Sequence, residues 1–138
     1  MTSRSARSAL VALATAVAVL TALTGCGSGG DDAGTPSAAA TLTPSVSDGT
    51  QVFAVVGQVD QTFSARELVA HPGTIRVDFS VAKGSAPHNF VISAIPGATT
   101  RIVSAGNSQS ITFTADKPGR YPVVCTLHQG MTATLVIV

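Results

Sequence analysis

Thr74-Ile75-Arg76-Val77-Asp78-Phe79-Ser80-Val81 puts an apolar side chain at every odd position and a polar one at every even position. Successive side chains of an extended chain point to opposite faces, so this alternation marks a strand with one face on a core and the other in water. Ser110-Ile111-Thr112-Phe113-Thr114 repeats the pattern, and residues 132–138 form a β-branched run suited to a final strand. Residues 52–59 and 90–95 are further strand candidates. Between these runs stand turn signals: His71-Pro72-Gly73, Lys83-Gly84, Pro96-Gly97, Ala105-Gly106-Asn107 and Lys117-Pro118-Gly119. Short strands punctuated in this way predict an all-β sandwich or barrel, with Phe79, Phe90, Ile92 and Val123 in its core. Residues 64–70 fit either one helical turn or an irregular strand. No long amphipathic helix is present.

Moving outward, the folded domain is predicted over residues 50–138. Residues 27–49 are rich in Gly, Ser, Ala, Thr and Pro and show no apolar period. Such a stretch buries too little surface to offset its ordering entropy, so residues 26–49 read as a flexible tether. Ahead of it, Arg4 and Arg7 precede an unbroken run of small and apolar residues with Thr over residues 9–23. That run is short against the about 20 apolar residues of a bilayer span and suits the centre of a signal peptide over residues 1–25. It ends in Leu23-Thr24-Gly25-Cys26, which resembles a bacterial lipoprotein box. The resemblance implies that Cys26 is acylated and becomes the new N-terminus, holding an exported domain at the outer face of the cell membrane. An ordinary cleaved signal and an uncleaved anchor are the alternatives. Arg4 and Arg7 account for two of the eight Lys and Arg residues, and seven Asp and Glu oppose the others. A near-neutral domain lacks the basic footprint of a nucleic-acid binder, so nucleic acid is excluded as a partner.

The chemistry is concentrated near the C-terminus, in Gly119-Arg120-Tyr121-Pro122-Val123-Val124-Cys125-Thr126-Leu127-His128-Gln129-Gly130-Met131. A strand is expected to deliver Cys125, a tight loop His128 and Met131, and a last strand to follow. Upstream, Pro87-His88-Asn89-Phe90 opens another expected strand. Singly, His88 reads as a turn residue, Cys125 as a small buried hydrophobe, and Met131 as core filler. Together they are two imidazoles, a thiolate and a thioether, the donor set that selects copper in electron-transfer sites. Their scarcity adds weight. Of two Cys, two Met and three His, Cys26 and Met1 belong to the leader, and only His71 is unassigned. If Cys26 carries lipid, Cys125 has no disulfide partner, and metal ligation gives a lone thiol a reason to exist outside the cytoplasm. His71 sits in a turn and is predicted to be exposed.

The pattern of His88-Asn89 followed by Gly119-x-Tyr121-x-x-x-Cys125-x-x-His128-x-x-Met131 resembles the cupredoxin family of blue-copper proteins. The gap between His128 and Met131, with Pro87 before His88, is most similar to its amicyanin-like members. The resemblance implies a Greek-key barrel of about eight strands with one copper near one end. It implies His88, Cys125 and His128 as equatorial ligands and Met131 as the axial one. It further implies that Asn89, just after the first ligand, fastens the ligand loops together through Thr126. Tyr121 resembles the tyrosine corner of Greek-key sandwiches.

The expected function is transfer of one electron between redox partners, by a monomer that is not an enzyme. Docking is expected on an apolar patch near His128, framed by Ala86, Pro87, Ile95, Pro96, Leu127 and Gly130. Delivery of copper to an oxidase is the alternative, disfavoured by the lack of a Met and His cluster. A Cys125–His128 thiol enzyme would need an oxyanion site and a substrate pocket, for which so small a β domain has little room. A zinc site is disfavoured by Met131, since thioether is a poor zinc ligand.

Overall fold

A computed structural model describes residues 39–138. The signal over residues 1–25, acylation at Cys26 and the first part of the tether lie outside the described residues. Eight strands follow in chain order: β1 (Ala39–Leu42), β2 (Ser45–Ser47), β3 (Thr50–Gly57), β4 (Ala65–Ala70), β5 (Gly73–Val81), β6 (Ser108–Ala115), β7 (Gly119–Val124) and β8 (Thr132–Ile137). Among the described residues there is no helix. Two four-stranded sheets result, ordered β1-β4-β8-β7 and β2-β3-β5-β6. The fold is an all-β sandwich.

The alternation in β5 is realised: Ile75, Val77, Phe79 and Val81 are buried, and the intervening side chains face outward or are half-buried. β5 runs parallel to β3, with Gln51 opposite Ile75 and Gly57 opposite Val81, and antiparallel to β6, with Ile75 opposite Phe113. From the other sheet Leu68, Val123, Ala133, Leu135 and Ile137 complete the core. Phe63, Phe79 and Phe90 form an aromatic triangle with centroids 5.9–6.2 Å apart, tilted or edge-to-face as ring quadrupoles prefer.

Three expectations are corrected. The tether does not extend to residue 49: β1 pairs parallel with β4, and β2 pairs antiparallel with β3. Leu42 packs against the core. Asp48 and Gly49 join β2 to β3 with φ of 48° and 74°, the left-handed pair that a two-residue type I′ hairpin turn requires. Asp-Gly is the sequence signal for that turn, and it was obscured by the short polar strand before it. Residues 90–95 do not form a strand. Val91 bridges to Thr99 on one side and to Val124 on the other, His88 bridges to Val103, and the backbone of Phe90 pairs with Thr100. Residues 88–92 face the 98–103 segment antiparallel through isolated bridges and single bonds, and the register slips by one residue between His88–Val103 and Val91–Thr99, so no continuous ladder builds. The same holds for the strand expected to open at Pro87. Residues 64–70, left open by their sequence, resolve into β4, held between β1 and β8.

Candidate metal centre

One end of the sandwich collects the C-terminal ends of β3 and β7, the turn after β5 and the start of β8. Val124 exchanges both backbone hydrogen bonds with Val91, 3.1 and 2.9 Å long, which brings the 88–92 segment beside β7 and His88 beside Cys125. Beyond β7 the chain turns tightly. The Cys125 N–H donates to the Met131 carbonyl (3.0 Å) and the Met131 N–H to the His128 carbonyl (3.3 Å). Gly130 takes φ of 84° within this loop, where a Cβ would be strained. A closed loop of this kind holds Cys125, His128 and Met131 with little freedom.

His88, Cys125 and His128 converge. Their donor atoms stand 3.1 Å apart for the two Nδ1 atoms, 3.8 Å for Cys125 Sγ to His88 Nδ1, and 3.6 Å for Sγ to His128 Nδ1. A point equidistant from all three lies about 2 Å from each, the length of a bond from imidazole to a first-row metal and slightly short for thiolate. A triangle of this size would let His88, Cys125 and His128 hold one first-row metal ion together. Met131 is buried on the same loop at 1 % exposure. Nitrogen, thiolate and thioether together match copper rather than zinc, calcium or magnesium.

His88 is fully buried. Burial pushes its pKa below the ordinary imidazole value, the Gln58 carbonyl opposes this, and the nearby His128 ring adds to the lowering. A neutral ring carries one proton. Nε2 lies 3.1 Å from the Gln58 carbonyl oxygen, which only accepts, so the proton is on Nε2 and Nδ1 turns a lone pair toward Cys125 and His128. His128 is half-buried and is the candidate donor nearest solvent, whereas Cys125 is 5 % exposed.

The expected fastening of the loops is present. Asn89 Nδ2 donates to Thr126 Oγ1 (2.9 Å), and the Thr126 N–H donates to Asn89 Oδ1 (2.8 Å). The Tyr121 hydroxyl donates to the Lys117 carbonyl at 2.8 Å, the bond of a tyrosine corner. His71 is exposed; its backbone N–H and carbonyl are both bonded by the Gln51 side chain.

The apolar patch is corrected. Ala86, Pro87, Leu127 and Gly130 are exposed at the ligand end. Ile95 is buried, and Pro96 shares a groove with Thr114, Asp116, Lys117 and Tyr121, at the opposite end of the sandwich. Gly57, Gln58 and Ser85 belong to the site although sequence reading passed over them. A Cβ on Gly57 would meet His88 Cδ2 at 2.8 Å, and Ser85 Oγ is 2.8 Å from His88 Nε2. Only the unexplained glycine before Gln58 at a strand end hinted at a close approach there.

Comparison with known proteins agrees with this geometry. Residues 14–137 match the family described as Cupredoxin-like domain. No curated protein matches the chain. Among solved structures, the chain is similar to dithionite-reduced auracyanin of Roseiflexus castenholzii, with 22 % identity, TM-score 0.55, and coverage of 63 % of this chain and 96 % of that one. The metal-binding domain of the Cu(I)-exporting P-type ATPase CopA of Streptococcus pneumoniae gives 16 %, 0.60, 71 % and 95 %. An azurin of Methylomonas sp. strain J gives 18 %, 0.51, 63 % and 97 %. At these identities the structural likenesses speak for the fold, while the family match spans most of the sequence and includes every donor of the site. The chain belongs to the cupredoxin-like domain family.

Proposed function

We propose that the domain is a blue-copper electron carrier holding one copper through His88, Cys125, His128 and Met131. The single observation that carries this reading is the closed donor triangle of His88, Cys125 and His128. Copper bound there would supply a one-electron Cu(I)/Cu(II) couple. The protein's part is to keep the donors where they are in both states. The 125–131 loop, the Asn89–Thr126 pair and the buried setting of His88 all resist movement. His128, half-buried, offers its ring edge as the electron's exit, and exposed Leu127, Pro87, Ala86 and Gly130 frame a small apolar surface for transient docking of a redox partner. We place the domain outside the cytoplasm as a monomer, tethered to the cell membrane through lipid on Cys26.

Copper delivery is the second reading, since the metal-binding domain of a Cu(I)-exporting ATPase shares the fold. Burial of His88, Cys125 and Met131 weighs against it, because release would require opening the ligand loop. Titrating metal-free protein with Cu(II) under visible absorption tests the proposal. An intense thiolate-to-copper band saturating at one equivalent and bleached reversibly by a mild reductant is expected. A pale spectrum, or oxidation of Cys125 without a stable coloured complex, would refute electron transfer and favour delivery.

A further inference from the structure

The Gln58 carbonyl oxygen, just past the end of β3, is approached by three donors. They are the Gln61 N–H at 3.2 Å, Ser85 Oγ at 3.0 Å and His88 Nε2 at 3.1 Å. A carbonyl oxygen has two lone pairs, so three donors are one too many for good geometry. Ser85 resolves the conflict. Its hydroxyl proton goes to the Gln58 carbonyl, and its oxygen keeps lone pairs facing His88 Nε2 at 2.8 Å, the shorter of the two contacts that this nitrogen makes. The Nε2 proton is therefore given chiefly to Ser85.

The hydroxyl is well supported. Ser85 N–H donates to the Ala82 carbonyl (3.2 Å), and Ala82 N–H donates to the Gly57 carbonyl (2.9 Å), so the turn after β5 is tied to the end of β3. Gly57 lies against Cδ2 of the His88 ring, where even a methyl group would clash. The His88 backbone is fixed by paired bonds to Val103 of 3.0 and 2.8 Å. With ring and backbone held, the Gln58 carbonyl, which only accepts, takes the hydroxyl proton and so leaves Ser85 as the nearer acceptor for a proton on Nε2.

We propose that Ser85 is a positioning residue of the metal centre. By accepting the Nε2 proton it locks His88 in the tautomer whose Nδ1 lone pair faces Cys125 and His128. By the same bond it makes Nδ1 a stronger donor, which favours the more highly charged metal and lowers the reduction potential. The tautomer half stands on the protein alone, and the potential half rests on the copper reading above.

The test uses wild-type protein, Ser85→Ala and Ser85→Thr. In metal-free protein, proton–nitrogen NMR of the His88 ring is expected to show a protected proton on Nε2. Ser85→Ala should speed its exchange by about three- to tenfold, the range of one hydrogen bond, and Ser85→Thr should restore it. In copper-loaded protein, Ser85→Ala should keep the visible band while the reduction equilibrium shifts toward Cu(I) by about threefold, or about 30 mV at 59 mV per tenfold. Ser85→Thr should return the potential toward wild type. Unchanged proton exchange in Ser85→Ala would overturn the tautomer half, leaving the Gln58 carbonyl as the true anchor. An unmoved potential with an intact band would overturn the second half. Failure of wild type to form a thiolate–copper band would reject the copper reading and, with it, the potential half, while the metal-free NMR result still judges the tautomer half.

Discussion

Replacing Gly57 with Ala adds one methyl group on which two effects of opposite sign act. Gly57 is the last residue of β3, opposite Val81, and its φ is one that any residue can adopt. At such a position Gly→Ala ordinarily stabilises by about 0.4–1 kcal/mol, because the unfolded chain loses freedom. Here the methyl would stand 2.8 Å from His88 Cδ2 and 3.1 Å from its Cβ and Cγ. Carbon pairs settle at about 3.5–4.0 Å, so the imidazole must retreat by about 0.7 Å. It has nowhere to go: His88 is fully buried, bonded on both backbone groups to Val103 and at Nε2 to Ser85. Overpacking of this kind costs about 1–3 kcal/mol and outweighs the entropic gain. Metal-free Gly57→Ala is therefore expected to lose about 1–2 kcal/mol, on the order of 5–10 °C in melting temperature for a domain of this size. The displaced Nδ1 should also shift or weaken the thiolate–copper band. Thermal unfolding of the metal-free protein and a copper titration read the two effects separately. A variant more stable than wild type, with an unaltered spectrum, would refute the close packing of Gly57 on His88.

Three further outcomes follow from the same geometry. Tyr121→Phe removes the bond to the Lys117 carbonyl and should cost about 0.5–1.5 kcal/mol in urea unfolding, with no change in the visible band, since this corner lies at the far end. Met131→Gln should retain copper but lower the reduction potential, because an amide oxygen is a harder donor than a thioether; an unmoved potential in voltammetry would show that Met131 is not a ligand. Leu127→Asp should slow electron exchange with a redox partner in stopped-flow mixing while leaving the spectrum alone, whereas Pro96→Asp, at the opposite end, should leave the rate unchanged. Equal rates for Leu127→Asp and wild type would remove the docking surface from the ligand end.

Strand character was legible wherever it is a local property. Side chains of an extended chain alternate by geometry, so β5, β6 and β8 declared themselves in the identities of their own residues. The candidate donor set was legible for a different reason. Soft donors are scarce in this chain, and their concentration at residues 125–131, with His88 upstream, is a statement about chemistry that needs no coordinates. The Asn89–Thr126 bond and the Tyr121 corner were expected only through the resemblance to a known family, not from the residues taken by themselves.

Other features belong to the assembled fold. Ala39–Leu42 and Ala65–Ala70 have no clean alternation, and they are strands because β4 lies between β1 and β8, whose backbone groups need partners. Pro96 sits far from the metal centre because its loop runs to the β6–β7 turn, a path that proximity in sequence to Phe90 and Ile92 does not reveal. Gly57, Gln58 and Ser85 meet around His88 because β3 and β5 run parallel and end together. The identity of the donors was written in the chain, since which atoms can bind copper is a property of each side chain taken alone. Their distances, the tautomer of His88 and the face it shows to Cys125 were decided by tertiary structure, since these depend on hydrogen bonds and contacts between segments that only strand pairing brings together.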